Sequence, residues 1–322
     1  MPEHHFITGL AGFIGSHLAD ALLSNGYAVS GLDDFSLGRP ANLARAAQSD
    51  GFHIETADAR EPSATARAMQ SAIARFGPIT KVWHLAANSD IAAGVADSTI
   101  DFGRTLQTTF SVIQACKSLN IRKVAFASTS AIYGEIDKVL EEDTGPLLPI
   151  STYGATKLAS EALLSAAAES VLDQIWIFRF PNVVGSRATH GALYDFVKRL
   201  ADQPASLRVL GDGSQWKPYL HVSELVDAMR FIVTNAGDKR NVFNIGPDGD
   251  GTLVKFLAEE TIARVSPGAR IDYTGGDRGW VGDVPRFSYS TAKLARLGWQ
   301  PSLSSNAAAK RAIDEIATEN GF

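Results

Sequence analysis

The sequence predicts an α/β fold built on a doubly wound parallel sheet, with a smaller lobe in the second half of the chain. Three observations support this prediction. Short apolar runs alternate with amphipathic helical patterns through the first half of the chain. A glycine-rich turn joins the first predicted strand to the first predicted helix. Polar and small residues follow the predicted strands where parallel strands end, which is where such sheets bind ligands.

The alternation of strand and helix patterns continues to residue 180. Strands are expected at short apolar runs, and helices where apolar residues recur every three or four positions. The predicted strands are Phe6–Thr8, Ala28–Leu32, Phe52–Ala57, Lys81–Ala86, Lys123–Ala127 and Gln174–Phe180. The predicted helices are Ile14–Asn25, Asn42–Ala47, Ala64–Phe76, Thr99–Leu119 and Tyr153–Glu169.

The pattern changes after Asn182. Glycine, proline and aromatic residues become frequent, and the predicted helices become shorter. The sequence contains no internal repeat and no Pro/Ser-rich linker, so we expect a packed lobe and not a tethered module. We predict that residues 1–182 form the first domain. Residues 183–322 are expected to form mainly the second, with segments that can return to the sheet of the first.

The composition is that of a folded protein with no general affinity for polyanions or membranes. Of 322 residues, 45% are apolar and 20% are charged, and the formal net charge is −5. No apolar run reaches membrane-spanning length, and residues 1–6 lack the features of a secretory signal. The single cysteine, Cys116, rules out an internal disulfide and fits a reducing compartment. We therefore expect a cytoplasmic protein without nucleic-acid or membrane partners, and we predict no metal site.

A glycine-rich turn follows the first strand. Gly9, Gly12 and Gly15 are spaced G-x-x-G-x-x-G between Phe6–Thr8 and the helix predicted from Ile14. Glycines there permit a tight turn, close approach of the backbone to a pyrophosphate, and close packing of helix on strand. The helix N-terminus adds unpaired N–H groups and a positive dipole end. The turn therefore predicts a Rossmann-type dinucleotide site.

Acidic residues follow the second and third strands. A carboxylate at Asp33, with Asp34 beside it, can accept hydrogen bonds from the adenosine ribose and repels a 2′-phosphate, which favours NAD over NADP. Asp58 follows the third strand, where a side chain can reach the adenine. His84 closes the fourth strand, and we assign it no chemistry because a histidine there is more often a packed strand residue.

Hydroxyl and amine side chains follow the fifth strand. Tyr153 and Lys157 lie four residues apart, so a helix projects them from the same face. The lysine ammonium favours the phenolate, so the tyrosine can exchange a proton far below its free pKa. A hydroxyl from Ser128, Thr129 or Ser130 can hold a substrate oxygen while a hydride moves to or from the carbon bearing it. The set predicts a dehydrogenase-type centre.

These segments resemble the extended short-chain dehydrogenases, specifically the NAD-dependent epimerase/dehydratase family. The likeness covers nearly the whole chain and is nearest to the UDP-glucose (UDP-galactose) 4-epimerases, especially the compact archaeal kind. The later segments are more specific than the glycine turn because ordinary short-chain dehydrogenases lack them. The matching segments are TGLAGFIGSHLADALL, LDDFSLGR, HLAAN, FASTSAIYG, YGATK, RFPNVVG, LGDGSQWKPYLHV, GGDRGWVGDVP and LGWQPSL.

The resemblance implies roles for individual residues. Thr129 is similar to the catalytic Ser/Thr, Tyr153 to the acid–base residue and Lys157 to its partner. It implies substrate contacts from Thr129, Ser130, Asn182, His190, Lys217, Arg278 and Asp283. Together with the patterns above, it implies NAD contacts from Gly9, Gly12, Phe13, Ile14, Gly15, Asp33, Asp34, Ser36, Gly38, Asp58, Ala59, Leu85, Ala86, Ala87, Tyr153, Lys157 and Phe180.

Several positions depart from the family pattern. Lys217 stands where many members carry an arginine that binds the diphosphate, which keeps the charge but loses the bidentate fork. Arg278 and Asp283 are five residues apart instead of three. Thr105 stands where many members place an asparagine near the cofactor. Ser130-Ala131 replaces the Asp-Glu of the 4,6-dehydratases, which disfavours dehydration.

We therefore expect an NAD-dependent nucleotide-sugar 4-epimerase that forms a transient 4-keto sugar, with a UDP-hexose as its substrate. Three alternatives remain open. One is epimerisation of another UDP-sugar, an N-acetylhexosamine or a uronic acid. Another is a different reaction on the same scaffold, UDP-glucuronate decarboxylation or net keto-sugar reduction, and the third is a non-catalytic NAD-binding sensor. The resemblance also implies a homodimer that packs Thr99–Leu119 and Tyr153–Glu169 of each subunit into a four-helix bundle.

Overall fold

The computed structural model describes residues 2–247, 249, 251–279 and 284–322. The strands are β1 (His4–Thr8), β2 (Ala28–Asp33), β3 (Phe52–Thr56), β4 (Lys81–His84), β5 (Lys123–Thr129), β6 (Gln174–Phe180), β7 (Asn182–Val184), β8 (Ser206–Val209), β9 (Trp216–Lys217), β10 (Tyr219–His221), β11 (Arg240–Asn244), β12 (Thr252–Leu253) and β13 (Arg270–Tyr273). The α-helices are α1 (Phe13–Ser24), α2 (Pro62–Phe76), α3 (Ile91–Ala96), α4 (Ser98–Asp101), α5 (Thr108–Leu119), α6 (Thr152–Ala167), α7 (Ala192–Asp202), α8 (Val222–Asn235), α9 (Val254–Val265), α10 (Ala292–Leu297) and α11 (Ser305–Glu319).

The strands β1 to β6, together with β11 from later in the chain, form a seven-stranded sheet in the order β11-β6-β5-β4-β1-β2-β3. The pairs β1–β2, β2–β3, β1–β4 and β4–β5 are parallel. In this register Thr8 lies opposite both Leu32 and His84, so the carboxyl ends of three strands meet at one edge. The predicted α/β fold with a parallel central sheet is confirmed.

The central strands β1 and β2 are buried along their whole length, as expected for a parallel sheet with both faces covered. One cluster packs Phe126 of β5 and Val124 against Met69 of α2, Val112 of α5 and Leu164 of α6. Burying such side chains removes apolar surface from water and is the main stabilising contribution. The core therefore fixes where the strand ends lie.

The chain divides into two contact units. The first contains the described residues up to Ile132, together with Ser151–Arg179 and Met229–Phe243. The second contains the described residues of Tyr133–Ile150, Phe180–Ala228 and Asn244–Phe322. Within the second unit, the pairs β7–β10 and β8–β13 are parallel, and β9–β12 is antiparallel. Helices α7, α9 and α11 pack against one another beside these short strands.

Two predicted helices differ from the structure. The predicted helix Asn42–Ala47 is wrong, because the segment forms two 3₁₀ turns, Pro40–Leu43 and Ala46–Gln48. The predicted helix Thr99–Leu119 is helical throughout, but a π-helix spans Phe102–Gln107 between α4 and α5. Threonine hydroxyls there bond to main-chain carbonyls, since Thr108 Oγ1 donates to the carbonyls of residues 104 and 105 and Thr109 Oγ1 donates to that of residue 105. Such side-chain bonds compete with the regular helical ladder.

No helix among the described residues is long and apolar enough to cross a membrane. In the same part of the chain, no group of three or more His, Cys, Asp or Glu side chains is arranged to hold a metal ion. Cys116 is buried on α5, and burial raises the pKa of its thiol to about 12. It is therefore a core residue and not a reactive thiol.

Two buried histidines make the stability of the fold depend on pH. The ring nitrogens of His84 bond to Thr8 Oγ1 at 2.8 Å and Thr109 Oγ1 at 3.0 Å. Burial lowers the pKa of His84 to about 3 and that of His5 to about 4. The unfolded chain, with histidine pKa near 6.5, therefore binds more protons than the folded chain between these values. Stability is retained above pH ~6.5 and is lost as the pH falls toward the folded values.

We predict that His84→Gln flattens this dependence. The free energy of unfolding of the wild type should fall between pH 6.5 and 4.5, with His84 contributing up to about 1.4 kcal/mol per pH unit. Glutamine at this position cannot titrate, so the variant should lose that contribution. Denaturant unfolding at several pH values measures both slopes. Parallel curves for the two proteins would show that His84 is not held neutral.

Candidate active site

The glycine turn brings the ends of β1 and β4 into backbone contact. Gly9 has a positive φ of 71°, and a Cβ there would lie 2.9 Å from the backbone nitrogen of Ala86. A Cβ at Gly15 would overlap the carbonyl of Gly9. Gly12 precedes the first turn of α1, which contains no acidic residue. The turn therefore leaves an open helix N-terminus whose N–H groups can bind an anionic pyrophosphate.

Asp33 holds this turn from the end of β2. Its carboxylate accepts the N–H of Ala11 and the N–H of Phe35, both at 2.8 Å, and burial raises its pKa. A Cβ at Gly38 would lie 2.7 Å from one of its oxygens, so glycine is needed there. Asp34 is exposed and accepts from the N–H and the hydroxyl of Ser36. Gly12 is a further main-chain partner of this carboxylate, and about four lone-pair sites on its two oxygens leave room for one more donor such as a ribose hydroxyl.

The remaining predicted cofactor residues follow the ends of strands or open helix α1. The N–H groups of Leu85 and Ala86 donate to Thr8 Oγ1 at 3.2 Å, which fixes the segment after β4 beside the glycine turn. Asp58 follows β3 and forms a bidentate ion pair with Arg60, which lowers its pKa. Ala59 comes next, and Phe13 and Ile14 open α1. Ala87 follows the β4 segment, whereas Phe180 ends β6 and belongs to the second unit.

Three predicted catalytic residues come together where β5 meets α6. The Ser151 hydroxyl caps α6 by accepting the N–H of Gly154 at 3.1 Å, which starts the helix one residue before Tyr153. Thr129 ends β5, and its side chain lies close enough to the Tyr153 phenol to oppose the rise in its pKa. Lys157 lies one helical turn after Tyr153 and is only 2% exposed. The structure thus assembles one hydroxyl, one phenol and one amine in the first unit.

The side chain of Lys157 is held by a main-chain carbonyl and by an aromatic ring. Its Nζ donates to the carbonyl of Ala127 at 2.6 Å and lies 4.7 Å from the centroid of the Phe126 ring. The same Nζ lies 6.0 Å from the ring centroid of Tyr153. A cation over a ring face is stabilised by the ring quadrupole. The amine is therefore fixed on the side of the phenol that faces β5.

The pKa of Tyr153 moves against the direction expected from sequence. Burial raises it to about 12, the side chain of Thr129 opposes this, and the charge of Asp101 raises it further. Burial lowers the pKa of Lys157 to about 7, and the charge of Glu161 opposes that shift. In the protein chain alone, desolvation therefore outweighs the lysine–tyrosine attraction. The site favours a neutral phenol until another positive charge is brought beside it.

Sequence reasoning missed two buried carboxylates near this centre. Glu161 accepts the hydroxyl of Ser128, so that hydroxyl is committed to the protein interior, while Ser130 opens the 3₁₀ turn Ser130–Tyr133. Asp101 is fully buried and accepts from the side chain of Asn88 at 2.7 Å. Glu161 could have been noticed, because it continues the four-residue spacing of Tyr153 and Lys157 along one helix face. Asp101 had no comparable signal.

The predicted substrate residues of the second unit are only partly grouped. The side-chain amide of Asn182 on β7 donates to the carbonyl of Pro218 at 3.3 Å. Because Pro218 directly follows Lys217, this bond brings Asn182 close to the segment that contains Lys217. Lys217 is buried on β9. His190 is half-buried and bonds to Thr189, and Arg278 forms an ion pair with Glu135 at 2.7 Å. Asp283 lies outside the described residues.

Known proteins share this architecture along nearly the whole chain. The sequence model of the NAD dependent epimerase/dehydratase family matches residues 5–246. UDP-glucose 4-epimerase of Mycolicibacterium smegmatis is 30% identical over 305 residues, which are 92% of this chain and 93% of that protein.

Two solved structures give the same result. UDP-glucose 4-epimerase of Thermus thermophilus in complex with NAD is 26% identical, with a TM-score of 0.83 and coverage of 97% of this chain and 98% of that chain. UDP-glucose 4-epimerase of Thermotoga maritima with UDP-glucose is 28% identical, with a TM-score of 0.85 and coverage of 98% and 99%. The resemblance inferred from the sequence motifs is confirmed.

We predict that Asp101→Asn lowers the pKa of Tyr153. Removing a buried negative charge favours the phenolate, whereas the asparagine can still accept the hydrogen bond from Asn88. Tyrosinate absorbance against pH measures the change, with the signal of Tyr153 assigned by difference from Tyr153→Phe. Asp97→Asn is the control, because Asp97 is an exposed helix cap that bonds only locally to Thr99. An unchanged or higher Tyr153 pKa in Asp101→Asn would contradict the electrostatic account.

Proposed function

This chain belongs to the NAD-dependent epimerase/dehydratase family, and from that premise we propose that it is a nucleotide-sugar 4-epimerase acting on UDP-glucose and UDP-galactose. It is an enzyme of this family, and its cofactor is NAD. The observation that carries the proposal is the assembly of Thr129, Tyr153 and Lys157 in the same unit as the glycine turn. His84 lies near both the glycine turn and the catalytic residues. Its ring bonds to Thr8 at the end of β1, and the charge of Lys157 contributes to lowering its pKa.

The described residues fit the cofactor. A side chain at Gly9 would meet the backbone of Ala86, and one at Gly15 would overlap the carbonyl of Gly9, so the glycines keep the turn tight. The N-terminus of α1 would bind the pyrophosphate. Asp33 would accept the adenosine ribose hydroxyls, and its carboxylate would repel a 2′-phosphate. Bound NAD would supply a reversible hydride acceptor, which makes the overall reaction redox-neutral, and a positive charge on its nicotinamide.

The protein's own residues handle the proton. Thr129 and Tyr153 would hold the sugar O4, and Tyr153 Oη would take the O4 proton as the C4–H bond is broken. The ammonium of Lys157 would stabilise the resulting phenolate. The proton returns to O4 after the 4-keto sugar has presented its opposite face. We propose that Ser130 helps to hold the sugar, and that Asn182, His190, Lys217, Arg278 and Asp283 bind the nucleotide sugar.

Three other interpretations remain as alternatives, and two of them use the same chemistry. Another UDP-sugar, an N-acetylhexosamine or a uronic acid, would use the same three catalytic groups. Decarboxylation of UDP-glucuronate or net keto-sugar reduction would also begin with oxidation or reduction at C4. Net reduction consumes NADH stoichiometrically, whereas epimerisation does not. A non-catalytic NAD-binding sensor would not need the phenol and amine together, and Tyr153 and Lys157 are both present.

Purified protein tested on a substrate panel decides among these interpretations. The protein is isolated without added cofactor, analysed for bound NAD, and incubated with UDP-, dTDP-, GDP- and CDP-sugars, with products identified by NMR. The proposal expects bound NAD and interconversion of UDP-glucose and UDP-galactose. A product of a different class, or NADH consumed one for one with sugar, would overturn it in favour of the corresponding alternative.

We predict that Tyr153→Phe retains NAD but turns over the sugar about 10²–10⁴-fold more slowly, because the acid–base group is removed. Tyr273→Phe is the matched control, since Tyr273 is an exposed tyrosine on β13. Its turnover should equal that of the wild type. Wild-type turnover by Tyr153→Phe would remove Tyr153 from the mechanism.

We also infer a homodimer that uses the helical segment 98–119 and α6. Large apolar side chains are exposed on that segment, with Phe102 57% and Phe110 47% exposed. Both lie on one helical segment, and exposed apolar surface is typical of protein–protein interaction sites. The chain therefore offers an apolar surface that a second copy can cover.

We predict that Phe102→Glu/Phe110→Glu converts a dimeric wild type into a folded monomer, because each subunit would bury two unpaired carboxylates in the interface. Light scattering during size-exclusion chromatography gives the mass, and circular dichroism checks the fold. Leu253→Glu changes an exposed apolar residue of the second unit and should leave the dimer intact. A monomeric wild type, or a double variant that remains dimeric, would rule out this interface.

A further inference from the structure

A buried ion pair joins helix α6, which carries Tyr153 and Lys157, to strand β6. Glu161 on α6 is 5% exposed and Arg179 on β6 is 6% exposed. Arg179 Nη2 donates to Glu161 Oε2 at 2.7 Å, and Arg179 Nε donates to Glu161 Oε1 at 3.1 Å. The bidentate geometry pairs both oxygens of the buried carboxylate with one guanidinium.

The same carboxylate reaches the strand that carries the catalytic threonine. The Ser128 hydroxyl donates to Glu161 Oε1. Ser128 lies between Ala127, whose carbonyl binds Lys157 Nζ, and Thr129. Two hydrogen bonds therefore tie consecutive residues at the end of β5 to side chains one turn apart on α6. A shift of either element would disturb both bonds at once.

Stability gives little reason to place charges here. Moving a carboxylate and a guanidinium out of water is costly, and a well-packed apolar pair of similar volume is often equally stable. The charge of Glu161 does have a local consequence, because it lies one helical turn from the buried amine of Lys157. Burial lowers the pKa of Lys157, and the charge of Glu161 opposes this shift. The resulting pKa is about 7.

We propose that Glu161 is a positioning residue for this site, which fixes the end of β5 against α6 and holds the buried amine of Lys157 in its charged form. The proposal rests on the proposed function, in which Lys157 must be an ammonium to stabilise the Tyr153 phenolate. Glu161 contacts neither the phenol nor the amine by a hydrogen bond of its own. It acts through Ser128 and through its charge.

The other ionisable groups around Lys157 do not replace Glu161. Tyr153 is neutral in the chain alone because burial raises its pKa to about 12. His84, on β4, is neutral because its pKa is about 3, and Lys157 itself contributes to that lowering. Arg179 on β6 faces the carboxylate of Glu161. Glu161 is therefore the anion that supports the Lys157 charge.

The test is a direct titration of Lys157 in the NAD-loaded protein. Lysine side chains are labelled with ¹³C and ¹⁵N, and the signal of Lys157 is assigned by its absence in Lys157→Met. In Glu161→Gln the midpoint of Lys157 deprotonation should fall by about 1–2 pH units, because one nearby negative charge is removed. The alkaline limb of the pH–turnover profile should move the same way. An unchanged midpoint would overturn the proposal.

Two further variants separate charge from structure. Ser128→Ala removes one hydrogen bond but keeps the carboxylate, so the Lys157 midpoint should stay at the wild-type value. Glu161→Gln/Arg179→Gln removes both buried charges and leaves no unpaired guanidinium, so it serves where the single variant does not fold. It should still lower the Lys157 midpoint, but by less than Glu161→Gln, because a positive charge is removed together with the negative one. A midpoint at or above the wild-type value in this folded double variant would also overturn the proposal.

Failure of this inference can be told apart from failure of the proposed function. A shifted Lys157 midpoint without sugar turnover in the wild type supports the role of Glu161 and overturns the epimerase assignment. Sugar epimerisation with an unshifted midpoint keeps the assignment and removes Glu161 from its charge-holding role.

Discussion

The burial of one amine constrains the rest of the centre. Lys157 is nearly inaccessible to solvent, so its charge must be supported by protein groups instead of water. The carbonyl of Ala127 and the ring of Phe126 supply contacts, and Glu161 supplies the opposing charge. All of these come from β5 and α6, so the packing of that helix on that strand sets the chemistry. A surface lysine would keep its charge without help but would have little effect on a neighbouring phenol.

The glycine turn, which follows β1, is likewise fixed by packing. Backbone groups of Gly9 and Ala86 approach too closely for any side chain, and the carboxylate of Asp33 holds the turn through the N–H of Ala11. Contacts within the first unit therefore fix the backbone of the turn. Pre-arranged hydrogen-bond donors and charges are more effective than groups that must reorganise during the reaction.

Sequence patterns were sufficient where the structure depends on local periodicity. Alternating patterns placed the strands of the sheet, and the boundaries of β6 match the prediction Gln174–Phe180. The four-residue spacing of Tyr153 and Lys157 places them one turn apart on α6. Contacts between distant segments were beyond such patterns, as with Arg179 and Glu161 or Asn88 and Asp101. The pKa of Tyr153 was also misjudged, because burial follows from the packed structure and not from spacing.

The central claim is that Tyr153 becomes an effective base only when a cation is added to a site already holding Lys157. The direct measurement is the pKa of the Tyr153 phenol in NAD-free and NAD-loaded protein, assigned by difference from Tyr153→Phe. The account predicts a value above that of free tyrosine, about 10, without NAD, and a value below it with NAD. The same pKa in both forms, or a higher one with NAD, would contradict the account.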